Sequence, residues 1–220
     1  MALTDDAPAP GRSRRNRGSD VVRDALVEAA IGEFAAHGFA GASTRKIADA
    51  AGAHQSQIKY HFSSKTDLWK RCMEHLLAEL DEEVAGALAA ADQPDGLDGG
   101  AGPQALLMES TIRGLVYLAA RRPELNRIMM HEATSPGERL EWLVETHLGP
   151  RQAVLASTWV SLRQRGIAAP IEVDAVYHTI IGAASLLYAN APEAELMGID
   201  PQTLVERHAD ALVAVFLSGR

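Results

Sequence analysis

Between Ser43 and Lys65 the chain gathers hydroxyls, amides and cations at close spacing. The groups are Ser43, Thr44 and Arg45, then His54, Gln55, Ser56 and Gln57, then Lys59, Tyr60, His61 and Lys65. A glutamine amide carries a donor and an acceptor side by side, which matches the edge of adenine. Cations and hydroxyls suit phosphate oxygens. The chemistry is hydrogen bonding to a nucleic acid duplex, and two short helices joined by a tight turn would have to position it. Thr44 is the expected N-cap of the first. Ile47, Ala48 and Ala51 form its apolar stripe. Gly52 supplies the left-handed residue that stops it. In the second helix Ile58 and Phe62 lie four apart and face inward, leaving the polar groups outward. A helix that is short, apolar on one side and amide-rich on the other fits the major groove.

The flanking residues sharpen this reading. Phe34-Ala35-Ala36-His37-Gly38-Phe39 precedes the pair and Lys65-Thr66-Asp67-Leu68 follows it. Together with Ser43-Thr44, Ile47-Ala48, Ala51-Gly52, Ile58, Tyr60-His61-Phe62 and Ser64-Lys65, the stretch from about residue 20 to 70 resembles the DNA-binding domain of the TetR family of transcriptional repressors. Many members carry an aromatic where this chain has Lys59; the tyrosine comes one place later, as in a Tyr-His-Phe subgroup. The resemblance implies an all-α protein with a three-helix helix-turn-helix head and a larger helical domain for ligand binding and dimerisation. It also implies an effector pocket in the larger domain and a four-helix bundle between subunits made by the final helices.

Charge supports a division of labour. The chain of 220 residues has a net charge of -8, which looks wrong for a DNA binder. Residues 1–75 nonetheless hold 11 Lys/Arg against 9 Asp/Glu, while residues 76–220 hold 10 against 20. The mildly basic part coincides with the helix pair, and the acidic remainder should stay off the phosphates. Apolar residues make up 47% of the chain, enough for a sizeable core. No run is long and apolar enough to span a membrane, and the amino terminus lacks a signal peptide's apolar core. One cysteine, Cys72, excludes an internal disulfide and fits a reducing cytoplasm. Its spacing with Leu68 and Leu76 makes it core filler.

Three regions follow in order: a disordered basic arm over 1–18 carrying Arg12, Arg14, Arg15 and Arg17; the DNA-binding domain over 19–66; and the ligand-binding and dimerisation domain over 67–220. Within the second, residues 20–37 form a helix with Val27, Ala30, Ile31 and Phe34 on its buried face, ended by Gly38. Ser64 and Asp67 make a variant capping box for a long helix to about residue 90, with Leu68, Cys72, Leu76, Leu80 and Val84 on one stripe. Residues 92–102 are rich in Gly, Pro and Asp and read as a loop. Beyond Pro103 every apolar pattern is helical, with Gly149-Pro150 splitting or kinking the element over 137–165.

Polar and aromatic groups on the later helices are candidates for orienting a small molecule: Arg113, Tyr117, His131, Glu132, Trp142, Trp159, Tyr177 and His178, with His147 and Tyr188 nearby in type. Singly, each reads as a core residue whose polar tip finds a neighbour. As a set they suit an apolar pocket with a few polar groups, Arg113 and Glu132 foremost. Ile180, Ile181, Ala183, Ala184 and Leu187 with Leu204, Ala211, Leu212, Val215 and Phe216 give the last two helices large apolar faces for a two-fold dimer. No catalytic residue, metal or other cofactor is implied: Ser56-Gln57-Ile58-Lys59 matches a hydrolase string only by chance, and His131, Glu132 and His147 lack ligand spacing. The leading reading is a cytoplasmic, dimeric, ligand-responsive regulator, most simply a repressor, with a palindromic DNA operator and a small-molecule effector as partners. The alternatives are a small all-α enzyme using the carboxyl-terminal cavity and a protein-interaction module.

Overall fold

A computed structural model describes residues 11–91 and 102–217, with side chains described from 19 to 90 and from 102 to 217. The described residues are helical and turn, with no strand among them. In order they form α1 (Gly11–Gly41), α2 (Thr44–Ala50), α3 (Gln55–His61), α4 (Lys65–Ala91), α5 (Gly102–Arg121), α6 (Pro123–Ala133), α7 (Glu138–Leu143), a π-turn (Val144–Leu148), α8 (Gly149–Gln164), α9 (Val173–Ala189), α10 (Ala191–Leu196), a 3-10 turn (Pro201–Leu204) and α11 (Val205–Phe216). They divide into two compact units, residues 1–72 and 73–220.

In the first unit α1 starts at Gly11, within the segment read as an arm. Arginine is a good helix former and no proline follows Pro10 before the helix is established. The side chains of the arm's arginines lie outside the described residues. Leu26, Val27, Ala30, Ile31 and Phe34 on α1 meet Ile47 and Ala48 on α2, Ile58 on α3, Phe62, and Leu68, Trp69 and Cys72 on the first turns of α4; all are buried. Cys72 is core filler as expected: its Sγ points at the Val27 carbonyl (3.6 Å) and burial pushes the thiol's pKa well up. Ser64 Oγ accepts from the Asp67 amide (3.0 Å), while the Asp67 carboxylate accepts from the amide and hydroxyl of Ser63. The box is therefore shifted by one residue on its return bond.

In the second unit α5 is central. Ala105, Met108 and Ile112 pack with Leu155, Trp159 and Leu162 of α8, Val176 and Ile180 of α9, and Val213 and Phe216 of α11. Further along, Val116, Ala119 and Ala120 pack with Ala184 and Tyr188 of α9 and Ala209 of α11. A polar seam runs beside this core. Arg113 pairs with Asp210 (2.8 Å), Tyr117 donates to Glu206 (2.9 Å), and Gln202 donates to the Ala120 carbonyl (3.0 Å). The four-residue steps on both helices fix their antiparallel register. Against α4, Gly114 leaves no room for a side chain: a Cβ there would stand 2.8 Å from Val84 Cγ2 and 3.0 Å from Val84 N.

One sequence expectation changes here. Gly149-Pro150 does not break the chain direction; the helix widens into the π-turn and continues as α8. Proline lacks the amide an α-helix would use and its ring crowds the carbonyl four residues back, and the wider turn relieves both. Pro192 sits in the first turn of the short α10, a position where its missing amide costs nothing.

Two glycines give opposite tests of this packing. Gly114→Ala should lower stability by about 1–3 kcal/mol because Val84 backbone blocks the methyl. Gly86→Ala, on an exposed position of α4 with nothing within 4 Å of a Cβ, should raise it by about 0.5–1 kcal/mol. Thermal unfolding followed by circular dichroism checks both; a Gly114→Ala variant as stable as the parent would refute the close α4–α5 approach.

Candidate DNA-binding surface and effector domain

The turn between α1 and α2 is where the head is set. Gly38 (φ 63°, ψ 176°) interrupts α1, a backbone conformation side chains resist. It lets Phe39 fold back to stack on Phe34 with ring centroids 6.0 Å apart. The Ser43 amide then donates to Glu33 on α1 (3.0 Å), and Lys65 at the start of α4 donates to the Ala42 carbonyl with its Nζ over the Phe39 ring (4.9 Å). The N-cap of α2 is Ser43, not Thr44: its Oγ accepts from Lys46 N (3.4 Å), so Thr44 is the first helical residue. Gly52 (φ 62°) reverses the chain into α3 as expected.

The sequence-selected residues now sort by exposure. Arg45, His54, Gln55, Ser56, Lys59 and Tyr60 are exposed, and Tyr60 is 78% exposed, unusual for an aromatic. Ser43, Thr44, Gln57, His61 and Lys65 are half-buried. Besides Ser43, which caps α2, two of these carry structural bonds. Gln57 Oε1 accepts from the His54 amide (2.8 Å), which closes the amino-terminal end of α3. Lys65 is engaged inside the head, as above. His61 lies edge-on to Tyr60 at 4.9 Å. The outward surface of α3 therefore presents Gln55, Ser56, Lys59 and Tyr60, with Arg45 and the exposed Lys46 contributed by α2. The sequence reading passed over Glu33 and Lys46. Glu33 carried no pattern of its own, since its partner amide is ten residues away; Lys46 was legible as an exposed cation between Arg45 and Ile47.

Most of the residues selected for an effector pocket do not converge. Trp159 is fully buried, donates its indole N–H to the Ile171 carbonyl (3.0 Å) and packs edge-on against Phe216. Arg113 and Tyr117 belong to the seam with α11. Glu132 is buried and pairs with Arg139 (2.9 Å), while His131 beside it is exposed. His178 is on the exposed side of α9, edge-on to the half-buried Tyr177. Trp142 packs edge-on against His147 at 5.0 Å. The polar tips have mostly found neighbours, as isolated core residues would. A shallow open depression of about 280 Å³ lies elsewhere, lined by Leu187, Leu204, Arg207 and His208. None of the described helices is long and apolar enough to cross a membrane.

Comparison with known proteins agrees with the head. Residues 26–72 match the family model described as bacterial regulatory proteins, tetR family. Over 172 residues the chain is 31% identical to a probable acrEF/envCD operon repressor of Escherichia coli K12, covering 76% of this chain and 74% of that protein. In fold it resembles the crystal structure of AibR in complex with isovaleryl coenzyme A and operator DNA (TM-score 0.67, 18% identity, 89% of this chain and 98% of that one). It also resembles the ketosteroid transcriptional regulator KstR2 of Mycobacterium tuberculosis (TM-score 0.63, 17% identity, 89% and 94%). The matched segment begins at Leu26, the first core residue of α1, and ends at Cys72, the last residue of the head. With a helix-turn-helix head, a separate helical unit and a repressor relative matched over 76% of this chain and 74% of its own length, the chain is a DNA-binding transcriptional regulator and belongs to the TetR family of bacterial regulatory proteins.

Proposed function

We propose that this protein is a cytoplasmic repressor that binds a palindromic operator as a homodimer and is released by a small-molecule effector. The observation that carries the DNA reading is the two-sided character of α3. Ile58 and Phe62 are buried, while Gln55, Ser56, Lys59 and Tyr60 on the same two turns face water. That is the side of a helix-turn-helix that enters a major groove. Gln55 and Ser56 are the base readers; Gln57 is a weaker candidate because its carbonyl oxygen already caps α3. Arg45, Lys59 and Tyr60 hold the phosphate backbone, with Ser43, Thr44 and His61 at its edge and His54 beside the reading helix. Repressors and regulators among the similar proteins, one of them a structure holding operator DNA and isovaleryl coenzyme A, support the operator and the effector.

The dimer reading rests on α9 and α11. Their inward residues Ile180, Ala184, Ala209, Val213 and Phe216 pack within the subunit. Their outward residues are small or apolar: Gly182, with open space around it, Leu186 (50% exposed), Ala211, Ala214 and Val215 (60% exposed). Such a face allows close approach of a second copy, and two heads then meet half-sites about 34–36 Å apart or a multiple of that. An effector that favours a different separation of the heads shifts the population away from the operator. The relatives being regulators, catalysis has no positive support here.

Four variants test this reading. Lys59→Ala should weaken binding to all sequences alike and reduce the salt slope by about one. Gln55→Ala should relax base choice at one position, costing about 1–3 kcal/mol on the preferred operator; fluorescence anisotropy on matched and mismatched duplexes at several salt concentrations reads both. Gln57→Ala should cost about 1 kcal/mol of head stability through its cap, visible in urea unfolding. For the dimer, Leu186→Glu should give monomers in sedimentation and lose operator affinity with the fold intact. A Leu186→Glu protein that stays dimeric would move the interface elsewhere.

A further inference from the structure

The Gly149-Pro150 step does more than widen a helix. Gly149 N–H closes the π-turn onto the Val144 carbonyl, and a Cβ at Gly149 would stand 2.9 Å from that oxygen, so the widened turn requires glycine there. Single π-turns inside helices concentrate at functional sites. Arg151, one turn after His147, makes two hydrogen bonds. Its Nη1 donates to the His147 carbonyl of the π-turn (3.1 Å), and its Nη2 reaches Asp81 on α4 (2.6 Å). Its Nε is sealed from solvent with no hydrogen-bond partner. His147, four residues before it, has a ring Nε2 that is sealed and without a partner as well. Sealing a polar atom without a partner costs roughly 1–3 kcal/mol, so two such atoms on neighbouring side chains ask for an occupant.

The neighbours define what that occupant is. Trp142 packs edge-on against the His147 ring at 5.0 Å and supplies an aromatic wall. Tyr177 on α9 is half-buried; burial raises its phenol pKa and the Arg151 charge opposes that rise. Burial and the Arg151 charge lower the His147 pKa against the opposing pull of Glu74 and Asp81, which favours the uncharged ring. Asp81 is 63% exposed and Arg151 31%, which makes their ion pair one that water already reaches. Pairs of that kind contribute little and exchange readily. A planar guanidinium prefers a planar carboxylate, and an aromatic wall prefers a flat apolar body.

We propose that Arg151, with His147, Trp142 and Tyr177, forms a subsite for an aromatic monocarboxylate, and that the bound carboxylate takes the place of Asp81 on the guanidinium. The proposal rests on the ligand-responsive reading above and gives it a chemical class. It also gives it a consequence. Asp81 belongs to α4, whose first turns are part of the head. In the free protein the Arg151–Asp81 pair ties α8 to α4; in the liganded protein that tie is released.

The test is calorimetric titration of the full chain with benzoate and 1-naphthoate and with the corresponding neutral amides. The acids should bind wild type and the amides at least about tenfold more weakly, a difference of about 1.4 kcal/mol. Asp81→Asn removes the internal competitor and should tighten the acids by about tenfold while leaving the amides unchanged. Arg151→Gln should abolish the preference for acid over amide, with its melting curve recorded alongside. An Asp81→Asn protein that binds the acids no tighter than wild type, or binds none of them, overturns the proposal, and so does equal binding of acid and amide. Operator binding of the unliganded wild type is measured separately: its absence would sink the regulator reading and leave the carboxylate result standing.

Discussion

A helix of seven residues does not hold its shape in water, because nucleation costs more than two turns of hydrogen bonds return. The head is arranged around that constraint. Ile58 and Phe62 are fixed by α1, α2 and the first turns of α4, and the amino-terminal end is closed by Gln57. The aliphatic side chain of Ile58 is committed inward, which leaves the opposite side to Gln55, Ser56, Lys59 and the exposed Tyr60. A longer helix could stand with a mixed surface; this one cannot. The turn before α2 obeys the same logic. Phe39, Ala42 and Ser43 are held from both sides, by Glu33 on α1 and by Lys65 on α4. The angle between reading helix and supporting helix is thereby fixed by side chains that never need to meet DNA.

This explains which parts of the head were legible beforehand. Periodicity and glycine placement located α2, the turn and α3, since burial and positive φ leave marks on residue type. Exposure of Gln55, Ser56, Lys59 and Tyr60 followed from the same periodicity. What periodicity does not carry is how a polar residue divides its hydrogen bonds. Gln57 and Lys65 look like readers of an outside partner, yet each has its polar end engaged by the head itself. The cap at Ser43 instead of Thr44 is a shift of one residue, the usual uncertainty of helix ends.

The larger unit was less legible for a physical reason. Its helices are apolar on more than one side, so residue type identifies burial without saying which neighbour a polar tip will find. Arg113, Tyr117 and Glu132 each answer to a partner far along the chain or on the next helix: Asp210, Glu206 and Arg139. Such pairs fix register between helices more than they add stability. Arg151 was passed over because its meaning depends on the widened turn behind it, and a Gly-Pro step reads as an interruption until the hydrogen bonding is seen.

Cys72 has a use that follows from its place. It is the chain's single thiol, wholly covered in the head and held in its neutral form by that burial. An alkylating reagent can reach it only when the head comes apart. The rate of labelling therefore clocks the opening of one unit while the other stays silent, so the protein carries its own probe for whether an operator or an effector steadies the part that reads DNA.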